Sequence, residues 1–130
     1  MSFNFEKLKT AKHILLETYR KNNQSVRTPV WFVQNNSQIY VITRDKTGKV
    51  KRLRNNPNIK VAMCTFTGKP TSGWISGIVK FANEEETKTV LRLRKQRYGF
   101  MDSIARFVSK SKGNIIVFSI VLDQKSENEN

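Results

Sequence analysis

The segment Thr43–Arg54, TRDKTGKVKRLR, contains the residues best suited to chemistry in this chain. It places hydroxyl groups and a glycine in a turn, followed by Lys49, Lys51 and Arg52 at the start of a predicted helix. A helix N-terminus presents free N–H groups and the positive end of the helix dipole, so an anion binds there readily. The same pattern is equally typical of a solvated basic helix face, and both interpretations stand at this point.

The common catalytic motifs are absent from the sequence. The only histidine, His13, cannot serve a Ser-His-Asp set plausibly, and there is no GxSxG, GxGxxG or Walker motif. The acidic residues gather at Glu84–Glu86 and in the C-terminal tail, which leaves no carboxylate pair for acid–base catalysis. A single cysteine, Cys64, excludes an internal disulfide, and with one histidine it makes a metal site improbable. If the protein is an enzyme, we therefore expect a bound cofactor to carry the reaction.

The positive charge is the outstanding feature of the composition. The chain has 24 Lys and Arg against 10 Asp and Glu, a net charge of +14. Seven basic residues lie in the range 44–60 and five in the range 88–97. Such a field attracts nucleic acid, acidic lipid headgroups or phosphorylated small molecules.

At 130 residues the chain is the size of one domain, which we place at 1–122, with a disordered polar tail at 123–130. The apolar run Ile115–Leu122 is too short to cross a bilayer. The N-terminus lacks the apolar core of a signal peptide, so we expect a cytoplasmic protein with no membrane partner.

Alternating apolar residues separated by turn residues predict six strands. Helices are predicted at 3–12, from Asp45 or Thr47 to Asn56, from an N-cap at Asn83 to Tyr98, and at 100–113. The two glycines Gly73 and Gly77 indicate a bulge or a close backbone approach in the fifth strand. Short connections between most strands favour a small antiparallel barrel. The predicted strands are 13–20, 25–34, 38–44, 58–66, 71–83 and 114–123.

Four pieces of sequence, in this order, carry a resemblance to a known superfamily: TPVWF, GKVKRLRNNP, the G-W-x-x-G strand and RKQRYGFM. Together they resemble the pyridoxamine-phosphate-oxidase-like split-barrel superfamily, and most of all its branch of coenzyme F420-dependent enzymes. The resemblance extends to about Leu122. It implies an α+β, mainly β fold: a six-stranded antiparallel split β-barrel, of the FMN-binding type, with peripheral helices.

The resemblance also implies a homodimer with the cofactor in a groove between the two protomers. The cofactor's phosphate would lie at the start of the helix after the third strand, and the second strand would line the ring system, largely through its backbone. Gly48 departs from the flavin-mononucleotide members, which often have an arginine there, and this favours the deazaflavin branch. The cofactor-binding residues implied are Thr28, Pro29, Val30, Trp31, Thr43, Thr47, Gly48, Lys49, Lys51, Arg52, and, on the fifth strand, Ser72 and Trp74.

The leading hypothesis is thus an oxidoreductase that transfers hydride between bound coenzyme F420 and an unidentified small molecule, with FMN as the alternative cofactor. Without the resemblance, Trp31 and Trp74 are more typical of packing residues, and Arg27 of a surface charge. A hypothesis of another class is a basic nucleic-acid-binding β-barrel, which the charge and the aromatic residues on strands support. We consider nucleic acid an improbable partner, because the basic residues concentrate on predicted helices and no closely spaced aromatics occur on neighbouring strands.

Overall fold

The computed structural model describes residues 3–35, 38–98 and 113–123. A short 3-10 helix, Phe5–Lys9, precedes the first strand. The other elements, in chain order, are β1 His13–Tyr19, β2 Ser25–Asn35, β3 Gln38–Arg44, α1 Gly48–Asn55, β4 Asn58–Ala62, β5 Ile75–Phe81, α2 Glu84–Tyr98 and β6 Ile115–Leu122.

The six strands form a closed antiparallel barrel in the order β1-β2-β3-β6-β5-β4, with β4 paired to β1. This confirms the predicted six-stranded antiparallel barrel, including the meander of the first three strands. Alternate residues of every strand point inward and bury an apolar core that includes Leu16, Phe32 and Phe118. On the outer surface, α2 packs against β2 and β6 through Val33, Val90 and a few neighbours.

Both helices start where the sequence predicts. The side chain of Thr47 accepts a hydrogen bond from the Val50 N–H at 3.4 Å and caps α1. Asn83 accepts from the Glu86 N–H at 2.8 Å, and Glu86 in turn accepts from the Asn83 N–H at 3.4 Å. This reciprocal pair is a capping box, which satisfies two otherwise unpaired N–H groups at the start of α2.

The barrel has a gap between β2 and β3. Their ladder joins only Phe32–Asn35 to Gln38–Val41. The first part of β2, Ser25–Trp31, pairs with β1, and we call this part the lower half of β2. Over the described residues, the lower half of β2 thus has a strand on one side and an open edge on the other. If the β2–β3 register continued beyond the Phe32–Val41 pair, Trp31 would lie beside Ile42 and Val30 beside Thr43, so the gap includes the level of Thr43.

Three elements are shorter than predicted. The helix expected at 3–12 is a single 3-10 turn that ends at Lys9. The fourth strand ends at Ala62 and the fifth starts at Ile75, because the chain between them leaves the sheet as a loop (residues 63–74). Within it, the Met63 N–H donates to the Ser72 hydroxyl at 2.9 Å, and the Thr71 N–H donates to the Met63 carbonyl. One side-chain bond and isolated backbone bonds thus replace the regular ladder there.

The close backbone approach predicted for the fifth strand occurs at Gly77. A Cβ atom at this position would lie 2.7 Å from the carbonyl oxygen of Val121 in β6. The helix predicted at 100–113 lies outside the described residues apart from Gly113, and so does the tail beyond Asp123. Within the described ranges, no helix is long and apolar enough to cross a membrane.

Candidate functional site

The site begins at the turn between β3 and α1. The hydroxyl of Thr47 donates to the Arg44 carbonyl at 3.0 Å and accepts from the Val50 N–H when it caps the helix. It therefore bonds to the backbone both before and after its own position. The N–H groups of Gly48 and Lys49 lie in the first helical turn, where no intrahelical acceptor exists. They are therefore open donors at the positive end of the helix dipole.

Lys49 is the central cation of the site. Its ammonium donates to the Thr43 hydroxyl at 3.1 Å. Among the described residues no carboxylate lies within ion-pair distance of it. Burial, and secondarily repulsion by Arg52, lower the pKa of Lys49. Within the described ranges, this partly buried ammonium has a hydroxyl as its only partner and no counter-charge, which an anion would supply.

Arg52 lies one helical turn after Gly48 and joins the same cluster. Its Nε donates to the Thr18 hydroxyl on β1 at 2.7 Å. Burial, and secondarily Arg20, lower the pKa of Arg52. The three basic residues and two hydroxyls form one group, which we call the cationic cluster: Thr18, Arg20, Thr43, Lys49 and Arg52.

The absence of a side chain at Gly48 makes room for Arg52. A Cβ atom at Gly48 would lie 2.9 Å from the Arg52 Nη1. The guanidinium therefore lies over the helix start, next to the open N–H groups. Lys51, between them in sequence, points to solvent and bonds to none of the described side chains.

The predicted ring-lining residues divide between the two faces of β2. Val30 is buried in the core and Thr28 is partly buried on the same inward face, whereas Pro29 and Trp31 are exposed on the outward face. All four lie on the lower half of β2, whose edge is open toward β3. Among the described residues, no strand pairs with this side of β2.

The assignment of Ser72 and Trp74 to the fifth strand is wrong, because both lie in the 63–74 loop before β5. Ser72 has a structural role there: it accepts from the Met63 N–H and donates to the Gly73 carbonyl at 2.8 Å. The ring of Trp74 lies under a guanidinium, with Arg27 Cζ 4.6 Å from its centroid.

Arg27, interpreted from the sequence as a surface charge, is held by a buried partner. Its Nε lies 3.0 Å from a carboxylate oxygen of Glu17, a side chain that is only 9% exposed. Tyr19 donates to the other oxygen of Glu17 at 2.8 Å. Burial, with the bond to Glu17, raises the pKa of Tyr19 to about 12. The sequence offered one sign of this group, an acidic residue inside the apolar strand HILLETY.

Among the residues that the structure describes, no three His, Cys, Asp or Glu side chains are grouped so as to hold a metal ion. Cys64 is partly buried, and burial raises the pKa of its thiol. The chemical capacity of this region therefore lies in anion binding, by Lys49, Arg52 and the start of α1.

A six-stranded antiparallel barrel with a basic helix after its third strand places the chain in the class of split β-barrel proteins. The chain belongs to the pyridoxamine 5'-phosphate oxidase family, whose pattern it matches over residues 5–124. No curated protein matches it in sequence.

Solved structures share the fold at low sequence identity. HutZ, a heme storage protein from Vibrio cholerae, is 15% identical with a TM-score of 0.71, over 95% of this chain and 92% of that one. An F420-H2 dependent reductase is 15% identical with a TM-score of 0.62, over 85% and 94%. An FAD-binding protein from Mesorhizobium loti is 13% identical with a TM-score of 0.55, over 92% and 84%. These likenesses concern the fold alone.

Proposed function

We propose that this protein is an oxidoreductase that uses coenzyme F420 and transfers hydride between it and a small-molecule acceptor. FMN is the alternative cofactor. The cofactor's phosphate would be bound by Lys49, Arg52, Thr43 and the N–H groups of Gly48 and Lys49. Its ring system would lie along the open edge of β2.

The observation that carries this proposal is the missing counter-charge at Lys49. Its ammonium and the Arg52 guanidinium meet only the hydroxyls of Thr43 and Thr18 among the described residues, at 3.1 and 2.7 Å. Two partly buried cations that repel each other destabilise the ligand-free fold, whereas a phosphate between them would form charge-assisted hydrogen bonds. The residues present therefore fit a phosphate-bearing cofactor.

The position of Arg52 supports a cofactor site that departs from the usual flavin-mononucleotide pattern. Where members of that group often have an arginine at position 48, this chain has glycine, and the guanidinium of Arg52 occupies the space. The net charge of +14 suits coenzyme F420, whose phosphodiester and glutamate tail carry more negative charge than FMN.

A bound deazaflavin would supply hydride transfer at its ring carbon. The chain's own residues would position it: Lys49 and Arg52 fix the phosphate, and the backbone of Thr28 and Val30 faces the ring edge. The outward side chains of Pro29 and Trp31 would keep water from one side of the groove. Orientation and exclusion of water are what a protein contributes when the cofactor carries the reaction.

We further propose that the working form is a homodimer with the cofactor between protomers. Trp31 is 49% exposed and Phe66 in the 63–74 loop is 81% exposed, and a partner would cover them. We expect a dimer that buries more than roughly 2,000 Å² in total, as obligate dimers do. Light scattering that shows a monomer at micromolar concentration would refute this and remove the shared cofactor groove.

Cofactor titrations test the assignment. The purified protein would be titrated with coenzyme F420, with FMN as the alternative cofactor, and with hemin, since the fold also occurs in a protein named for heme storage. We expect coenzyme F420 to bind most tightly. If FMN binds tenfold more tightly, a difference of about 1.4 kcal/mol, the deazaflavin assignment is wrong; saturable binding of hemin alone would overturn the oxidoreductase proposal.

A matched pair of variants tests the site itself. Lys49→Ala should reduce cofactor affinity by about 1.5–3 kcal/mol, the range for a hydrogen bond to a charged group. Lys95→Ala removes an exposed charge on α2 and should change affinity far less. Equal losses at the two positions would mean that only the overall positive field attracts the cofactor.

A further inference from the structure

A cavity lies at the same end of the barrel as the cationic cluster, on another side of α1. It has a volume of about 390 Å³ and is enclosed by the end of α1, the start of α2 and the adjoining ends of β5 and β6. Ile116 in its wall is opposite Thr43 in the β3–β6 ladder, which places the cavity near the cationic cluster. None of the residues implied by the family resemblance lines it.

The cavity combines apolar walls with one cation. Its walls include Phe81, Ala82, Ile115 and Ile116. The Phe81 ring is 40% exposed although it packs edge-on against the core ring of Phe118, at a centroid distance of 6.1 Å. An aromatic ring that is fixed by a core neighbour and still partly exposed offers contact surface to an apolar ligand.

Arg54 supplies the charge. Its guanidinium carbon lies 5.5 Å from the centre of the Phe81 ring, a cation–π distance. In the described part of the chain no carboxylate pairs with it. The stacking keeps the guanidinium at the cavity, while its N–H groups remain available to an acceptor.

We propose that this cavity binds a small organic carboxylate with an aromatic or branched aliphatic body. The carboxylate would pair with Arg54, and the body would lie against Phe81, Ile115 and Ile116. The volume is near the lower end of the range for ligand pockets, roughly 300–1,000 Å³, which favours a ligand smaller than a cofactor. The planar guanidinium matches a carboxylate in a bidentate pair.

The cavity is independent of the proposed phosphate site, although both use α1. Lys49 and Arg52 contact β3 and β1, whereas Arg54 reaches toward β5. The helix thus presents cations in two directions from one barrel end. This gives the basic surface of α1 a specific role in addition to general attraction of anions.

Phenylacetate and its uncharged analogue phenylacetamide are suitable probes. In the full-length protein with ¹³C-labelled isoleucine methyl groups, phenylacetate should shift the Ile115 and Ile116 signals in a saturable manner. Phenylacetamide should bind at least about tenfold more weakly, because it cannot form the charge-assisted pair. Equal binding of the two probes, or no shift at these two residues, would overturn the proposal.

Arg54→Gln is the decisive variant, because Arg54 is exposed and its loss should not prevent folding. It should weaken phenylacetate binding by at least about tenfold. Arg92→Gln, an exposed arginine on α2 that does not line the cavity, is the matched control and should leave affinity within about twofold. Unchanged affinity in Arg54→Gln, or equal losses in both variants, would refute a specific carboxylate site.

Discussion

Replacing Lys49 with methionine should stabilise the cofactor-free protein while it weakens phosphate binding. Methionine keeps the length and the apolar stem of the side chain and removes only the ammonium. That ammonium has the Thr43 hydroxyl at 3.1 Å as its partner among the described residues and is repelled by Arg52. Binding residues are often retained at a cost in stability, and we expect this of Lys49 if it binds an anion.

The magnitude follows from two opposing terms. Loss of the bond to Thr43 costs about 1 kcal/mol, the typical net value of a hydrogen bond. Removal of a partly buried charge without a counter-ion gains about 1–3 kcal/mol, by analogy with buried ion pairs replaced by apolar residues. We therefore expect a net increase of about 1 kcal/mol in the free energy of unfolding.

The pH dependence provides a sharper criterion. Burial lowers the pKa of Lys49 in the folded state below its ordinary value of 10.5, so above the folded pKa the unfolded chain binds more protons than the native protein. The destabilisation by the charge is complete below the folded pKa and disappears as pH rises to the unfolded value. The stability advantage of Lys49→Met should therefore be largest near neutral pH and shrink toward pH 10.5.

Urea denaturation of the cofactor-free proteins at several pH values measures this difference. Lys95→Met, at an exposed position on α2, is the control and should change stability little at any of these pH values. A Lys49→Met protein less stable than the wild type at neutral pH, or an advantage that grows with pH, would refute the idea of an uncompensated ammonium.

Three further predictions concern the frame of the site. Gly113 has φ +97 and a Cβ atom there would collide with the Asp45 carboxylate, so Gly113→Ala should destabilise by about 2–4 kcal/mol; at Gly68, with φ +95, a Cβ atom would meet Pro29 only at 3.5 Å, an ordinary contact distance, so Gly68→Ala should cost only about 1–2 kcal/mol. Both are measured by urea denaturation, and equal losses would contradict the collision. Glu17→Gln should lower the pKa of Tyr19 from about 12, although burial keeps it above 10.0, as tyrosinate absorbance will report; an unchanged value would exclude Glu17 as a cause. Asn83→Ala should cost about 0.5–2 kcal/mol in thermal unfolding, and no loss would contradict its role as N-cap.

The features that the sequence predicts well are local. Thr47 and Asn83 cap their helices through bonds to residues three positions later in the chain. This short spacing is visible in the sequence itself. The strands of the barrel are recognisable from the alternation of apolar residues. The extent of β4 and β5 was overestimated because the bonds that open the 63–74 loop, such as Met63 to Ser72, override an extended apolar pattern.

The remaining features depend on strand register. Arg52 meets Thr18 across 34 positions, and Arg27 meets Glu17 across 10. Neither pair is visible before the strands are aligned, so Thr18 and Glu17 were not among the predicted site residues. The cavity at Arg54 likewise requires the ends of four elements to converge. Predicting the cationic cluster from sequence was feasible because most of it lies within one short segment.

The open edge of β2 has a consequence for how the protein behaves in solution. An unpaired strand edge is a template on which another chain can add a strand and begin aggregation. Pro29 lies in the middle of this edge and has no N–H group, and Arg27, two residues earlier on the same strand, is a charged residue that pairs with Glu17 on β1. Proline and charge are the devices that natural sheets use to block such pairing. We therefore expect the strand that faces the proposed cofactor also to hinder polymerisation of the barrel through this gap.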